Sequence, residues 1–280
     1  HDMNAFTGGC HHNVGCEKYT AACGACPQLG ADDVADLSRR IWARQKKAFA
    51  QVDPGQLHIV TPSTWLAGEA QRSSLLEPFP VTVIPNGLDT DRFVPRPQRA
   101  VRTALDLPQD RPVVLFVADT STRQRKGFDL LSDALSDLKD PLLLSVGSGK
   151  PSLDNSGRHI HLGRLSNDRL LSAAYSAADV FVIPSLQDNL PNTVLESMAC
   201  GTPVVGFETG GIPDMVRPGE TGWLAETGNA CSLRAKIKEA LFETDVRERL
   251  GEQCREVVEN EYALEVQARR YSNLYEQLLN

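Results

Sequence analysis

Long apolar runs are missing from this 280-residue chain. None approaches the roughly 18 to 20 residues that span a bilayer, so no transmembrane helix is expected. No stretch has the build of a signal peptide. A basic excess is missing too: 29 Lys and Arg stand against 36 Asp and Glu, a net charge of −7. General nucleic-acid binders usually carry the opposite sign, so nucleic acid is not an expected partner. The remaining composition, 41% hydrophobic and 23% charged, is that of a soluble globular protein with length for one large or two medium domains. An initiating methionine is also lacking. The chain opens on His1, inside a patterned stretch, and reads as a fragment.

Cysteine is sparse and unevenly placed. Of seven, Cys10, Cys16, Cys23 and Cys26 fall close together, spaced C-x5-C-x6-C-x2-C. The last pair has the spacing of a metal knuckle. Three readings stay open. One is a structural zinc site of three or four thiolates, with His11 or His12 as an alternative ligand. Another is reduced, unligated thiols packed in a loop. The third is disulfides, although nothing indicates an oxidising compartment. Cys200, Cys231 and Cys254 are isolated and read as buried or inert.

Hydrophobic periodicity sets out alternating strands and helices. Val34, Leu37, Ile41, Ala48 and Val52 predict a helix over 33–52, with Arg39, Arg40, Arg44, Lys46 and Lys47 crowded on it. That basic face is either solvated or a contact for anionic lipid. Strands are expected at 57–61 and 81–84, with a helix from Pro62 to about Ser74 between them. Pro95 and Pro97 mark a linker. Pro112 to Ala118 is an apolar run suited to a buried parallel strand. A basic loop, Arg123-Gln124-Arg125-Lys126-Gly127, and a helix over 128–138 come after it. Further strands are expected at 141–146, 159–162, 179–183 and 202–207. Ser166 is the expected cap of a helix running to Ala178. The last helix, 263–278, presents Val266, Tyr271, Leu274 and Leu278.

The most informative stretch runs from Ile183 to Val205. A strand ends at Pro184, and a polar loop carries Asp188 and Asn189. Asn192 or Thr193 can cap a helix that holds Glu196 one turn in, and Gly201 closes it. This is one unit of a parallel α/β sheet, and ligands of such sheets bind beyond the carboxyl ends of the strands. A helix N-terminus there attracts phosphate. A carboxylate one turn further can accept hydrogen bonds from a vicinal diol such as ribose. The spacing suits a nucleotide.

The same stretch resembles the E-x7-E donor signature of family 4 glycosyltransferases, retaining enzymes of the GT-B fold. Glu196 matches the second glutamate. Asp188 stands where the first is usual, one methylene shorter. His1-Asp2-Met3-Asn4-Ala5-Phe6-Thr7-Gly8-Gly9-Cys10-His11 resembles a subgroup from bacterial exopolysaccharide assembly, including colanic-acid-type transferases. His1 then matches a histidine that contacts the donor sugar. Lys126-Gly127-Phe128 is similar to the K-G element whose lysine contacts the donor diphosphate. Arg123 or Arg125 would supply the charge of the arginine usual just after the strand. Gly163-Arg164-Leu165 falls where the backbone receives the nucleotide base. Asn189, Leu190, Pro191, Asn192 and Thr193 fall at the diphosphate.

The resemblance implies an α/β chain of two Rossmann-like domains with parallel sheets, the N-terminal one incomplete. Residues 1–93 would be the remainder of the acceptor-side domain, 94–260 the donor-binding domain, and 261–280 a helix crossing back. It implies sugar transfer from a UDP- or GDP-sugar to a carbohydrate or lipid-linked acceptor with retention, in cell-surface polysaccharide synthesis. It implies no catalytic metal, and a cytoplasmic place with contact to the inner face of the membrane. A non-catalytic nucleotide-sugar-binding fragment, and a GT-B epimerase or phosphorylase, remain as alternatives.

Overall fold

The computed structural model describes residues 1–120, 124–149 and 158–279. The fold divides into two compact units. The first takes in 1–85 with the short segment 187–190, and the second takes in 86–186 and 191–280.

The first unit opens with a long loop whose regular structure is limited to 3-10 turns at Asn4–Phe6, Lys18–Thr20 and Pro27–Leu29. Helix α1 (Leu37–Phe49) comes after it. Next are β1 (Ile59–Thr61), α2 (Thr64–Arg72) and β2 (Val81–Val83), with β1 and β2 paired in parallel. Ser63 caps α2 by accepting from the Leu66 amide. The core gathers Met3, Phe6, Tyr19, Trp42, Leu66 and Phe79.

Helix α1 is shorter than its pattern suggested. Asp36 caps it, and hydrogen bonds from Ser38, Cys26 and Arg39 hold that carboxyl down to about 2. Its inner face is Ser38 and Trp42, while Val34, Leu37 and Ala48 face solvent. The reason is Trp42. Its large ring seats in the core and takes Arg39 and Lys46 over it at 5.5 and 4.9 Å, while of the predicted stripe only Ile41 and Val52 stay half-buried.

The second unit is a six-stranded parallel sheet. Its strands are β3 (Val113–Thr120), β4 (Leu142–Ser148), β5 (His159–His161), β6 (Val180–Ile183), β7 (Val204–Phe207) and β8 (Gly222–Ala225). They lie in the order β5-β4-β3-β6-β7-β8. Chain order therefore reverses between β3 and β6, as in a doubly wound nucleotide-binding sheet. Val113–Phe116, Leu142–Leu144 and all of β6 and β7 are buried, which is why these strands read as unbroken apolar runs. Fully burying each such side chain contributes roughly 1.5–3 kcal/mol.

The helices of this unit are α3 (Gln98–Ala104), α4 (Phe128–Ser136), α5 (Asp168–Ala177), α6 (Asn192–Ala199), α7 (Ile212–Met215), α8 (Ala230–Phe242), α9 (Thr244–Val257) and α10 (Leu264–Leu279). Helix α4 packs Leu131 and Leu135, and α8 packs Leu233 and Ile237, into one cluster with the strands. Asn167, not Ser166, caps α5, because its side chain reaches the Arg169 amide. On α10, Val266 and Leu274 are buried while Leu278 is exposed. Cys200 and Cys254 are buried, but Cys231 is exposed. Among the described residues no helix is long and apolar enough to cross a membrane.

Candidate active site

In an open parallel sheet the ligand crevice lies beyond the strand ends where chain order reverses, here β3 and β6. The segments that leave those two strands therefore supply the groups of the site. After β3 comes a 3-10 turn, Gln124–Lys126, with Arg125 and Lys126 half-buried. Arg123, the alternative for the same charge, lies outside the described residues. The turn is tied to the chain after β6, since the Leu186 amide donates to the Arg125 carbonyl at 2.9 Å.

Gly127 makes this approach feasible. Its φ is +68°, and a Cβ there would stand 1.9 Å from the Pro184 carbonyl oxygen. Gly147 does the same one strand over, with φ +143° and a notional Cβ 1.8 Å from the Ala118 carbonyl oxygen. Its amide donates to the Gly163 carbonyl at 2.9 Å. That bond holds the loop of Gly163, exposed Arg164 and half-buried Leu165 beside the strand ends.

Helix α6 begins at Asn192. Pro191 holds the N-cap position, and no side chain caps the helix. The expectation that Asn192 or Thr193 is the cap is corrected. As the first helical residue, Asn192 points its side chain to Asn86, whose Nδ2 donates to it at 3.1 Å. An uncapped start leaves the first amides and the positive end of the helix dipole to an anion.

One turn in, Glu196 Oε2 accepts from the Tyr175 hydroxyl at 2.8 Å. Burial pushes the Glu196 carboxyl up to about 7. The Tyr175 bond works against that, and the negative charges of Asp168 and Asp119 add to it. Tyr175 is fully buried, its ring edge-on to Phe181 at 5.6 Å. The sequence carried no signal for this bond. Nothing local marks a partner 21 residues away on another helix.

Asp188 and Asn189 fall in the first unit, with His1. Asn189 is buried. Its Nδ2 donates to the His1 carbonyl at 2.6 Å, and its Oδ1 accepts from the Ser63 hydroxyl. Gln187 is held likewise: its Nε2 donates to Asn13 Oδ1 at 2.6 Å, and its Oε1 accepts from the Val14 amide at 3.1 Å. Behind Asn13, the buried Glu69 carboxylate accepts from Asn13, Tyr19 and Arg72. The residues on either side of half-buried Asp188 are thus each anchored through their own amide side chain. Gln187, Asn13 and Glu69 carried no signal in the sequence.

Cys10, Cys16, Cys23 and Cys26 line one small cavity, and none of the seven cysteines forms a disulfide. Neither of the histidines next to Cys10 lines it, and His11 instead pairs with Asp2 at 2.6 Å. Burial raises the Cys10 thiol, and raises Cys23 to about 11.

Comparison with known proteins bears on this arrangement. The family described as Glycosyl transferases group 1 matches residues 111–243, which contain β3 to β8. A lipopolysaccharide core biosynthesis glycosyltransferase of Rhizobium meliloti is 32% identical over 203 residues, 69% of this chain and 57% of that protein. Among solved structures, sucrose-phosphate synthase from Thermosynechococcus elongatus superposes with a TM-score of 0.76 at 28% identity, covering 96% of this chain and 67% of that one. HepE of Anabaena, solved with UDP and glucose, superposes with a TM-score of 0.70 at 19% identity, covering 84% of this chain and 67% of that one. The α/β fold with parallel sheets is that of GT-B glycosyltransferases. The chain spans roughly a third to somewhat over half of the curated relatives it matches, from 35% to 57%.

Proposed function

We propose, from the premise that residues 111–243 are a group 1 glycosyl transferase segment, that this chain carries the donor side of a glycosyltransferase. The substrate class is a nucleotide-sugar, UDP- or GDP-linked, and the acceptor is a carbohydrate or a lipid-linked glycan. The observation that carries the reading is the end of β3 and β6. Within one unit, Lys126, the uncapped start of α6 and Glu196 come after the two strands that flank the chain reversal.

The chemistry asked of such a site is charge stabilisation on a departing diphosphate. Lys126, with Arg125 beside it, and the amides of Asn192 and Thr193 suit that task. Glu196, fixed by Tyr175, accepts the two ribose hydroxyls. The backbone at Gly163–Leu165 receives the base. Asp188 and His1 hold the transferred sugar. The acceptor attacks on the face the diphosphate leaves, and a departing phosphate oxygen takes its proton, so configuration is retained without a covalent enzyme intermediate. The exposed Arg40, Arg44, Lys46 and Lys47 of α1 suit an anionic lipid surface presenting the acceptor, in keeping with a role in cell-surface polysaccharide synthesis.

The test is calorimetric titration of the chain with UDP- and GDP-sugars. Binding of one base class, lost in Glu196→Ala, supports the reading. Failure of every nucleotide-sugar to bind, both to this chain and to one extended upstream, sinks it. Release of free nucleotide without acceptor would favour an epimerase, and consumption of phosphate a phosphorylase.

A further inference from the structure

We propose that the four thiols of the first unit form a structural, tetrahedral zinc site of four thiolates. Cys10, Cys16, Cys23 and Cys26 come from four points of a loop that contains neither α-helix nor strand. All four nevertheless face one cavity of about 30 Å³, with Lys18 and Tyr19 on its wall. A void of that size takes roughly one water-sized guest, hence a single ion. The loop holds these cysteines without α-helix or strand, and metal binding is folding energy for such loops.

Among the described residues no three ligating groups stand close enough to hold a metal. Ligation at the 2.3 Å of a zinc–thiolate bond would require the four cysteine side chains to draw together around the cavity.

Three further features fit a tetrathiolate. The Gly8 amide donates to Cys23 Sγ at 3.0 Å, a bond that favours the thiolate. The Lys18 ammonium is held over the loop between Cys23 and Cys26, at 3.1 Å from the Gly24 carbonyl and 2.5 Å from that of Ala25. It supplies positive charge beside a site that would carry two net negative charges. Finally, Val14 and Ala25 adopt φ of +46° and +45°, two residues before Cys16 and one before Cys26. For a β-branched residue such a conformation is a true outlier, and it persists only where surroundings over-determine it. Four bonds from thiolates to one ion would supply that constraint.

The site would have a consequence at a distance. The turn it fixes presents Asn13 and Val14 to Gln187, beside Asp188. The metal would therefore steady the segment that carries Asp188 while touching no substrate.

The test is elemental analysis of the full chain purified with a thiol reductant and without chelator. One zinc per chain is expected. A mercurial thiol reagent should release it, read by a chromogenic zinc indicator, and Cys23→Ser/Cys26→Ser should lose it. Should that variant not fold, the wild-type Tm decides: it should fall on chelation and return with zinc but not with magnesium. Absence of zinc, with no uptake from added zinc, would overturn the proposal. So would an intact mass lower by two hydrogens per disulfide in protein purified without reductant and unable to take up zinc. Metal content is independent of nucleotide binding, so this test and that of the transferase reading fail separately.

Discussion

If Glu196 holds the donor ribose, donor binding becomes a function of pH. Burial holds its carboxyl at about 7, so it titrates in the ordinary assay range. If the carboxylate is what accepts the ribose hydroxyls, only the ionised fraction binds well. One pH unit below that value roughly a tenth is ionised, and one unit above it about nine-tenths. Apparent affinity scales with the competent fraction, so Kd should fall about tenfold from pH 6 to pH 8, some 1.4 kcal/mol. The ligand must be an intact nucleotide-sugar. The terminal phosphate of a bare nucleotide titrates near pH 6 and would imitate the effect. Calorimetry across pH 6 to 8 should trace one rising step. Glu196→Gln should abolish the step. Tyr175→Phe removes the hydrogen bond that favours the charged form, so it should move the step to higher pH. A flat profile for the wild type would refute the assignment of the ribose to this carboxylate. Stability runs in the opposite sense. A carboxyl raised in the folded state is protonated there while its unfolded counterpart, near 4.3, has ionised. The unliganded protein should lose stability as pH rises from about 4.5 to 7, on the order of 3 kcal/mol.

Lys126→Ala should weaken nucleotide-sugar binding at least about tenfold, roughly 1.4 kcal/mol, in the same calorimeter, and unchanged affinity would remove it from the diphosphate. Gly127→Ala puts a Cβ 1.9 Å from the Pro184 carbonyl at φ +68°, so urea unfolding should show a loss of about 2 to 4 kcal/mol. Glu69→Ala strips a shared acceptor from the buried Tyr19 hydroxyl and Asn13 amide. It should cost about 3 kcal/mol, and a change under about 1 kcal/mol would mean water serves those donors instead. Asp188→Glu restores the residue usual in the resembling family, and transferase activity of a chain extended upstream should survive it.

Elements that depend on near neighbours were legible in the sequence. The apolar run from Pro112 to Ala118 became β3, and the one ending at Ile183 became β6, because strands buried on both faces need no alternation. The order of motifs from Lys126 through Gly163 to Glu196 could be read too, since each rests on short spacings. Helix ends were legible only to within about four residues, as α1, expected over 33–52 and found at Leu37–Phe49, shows. Ser166 and Asn167 both suit a cap, and the choice fell to whichever side chain met the Arg169 amide. Pairings across the chain came only with folding. The strand order brought β3 beside β6, and so gave Arg125 and Leu186 to each other. Packing seated Tyr175 against Glu196, in a site whose burial raises a carboxyl that spacing alone would leave ordinary. Residues 187–190 joined the first unit, where Gln187 and Asn189 find Asn13, Ser63 and His1. Four thiols were drawn around one void, which the spacing C-x5-C-x6-C-x2-C permitted without requiring. Period and propensity act over a few residues, whereas burial and hydrogen-bond partnership are set by which surfaces meet.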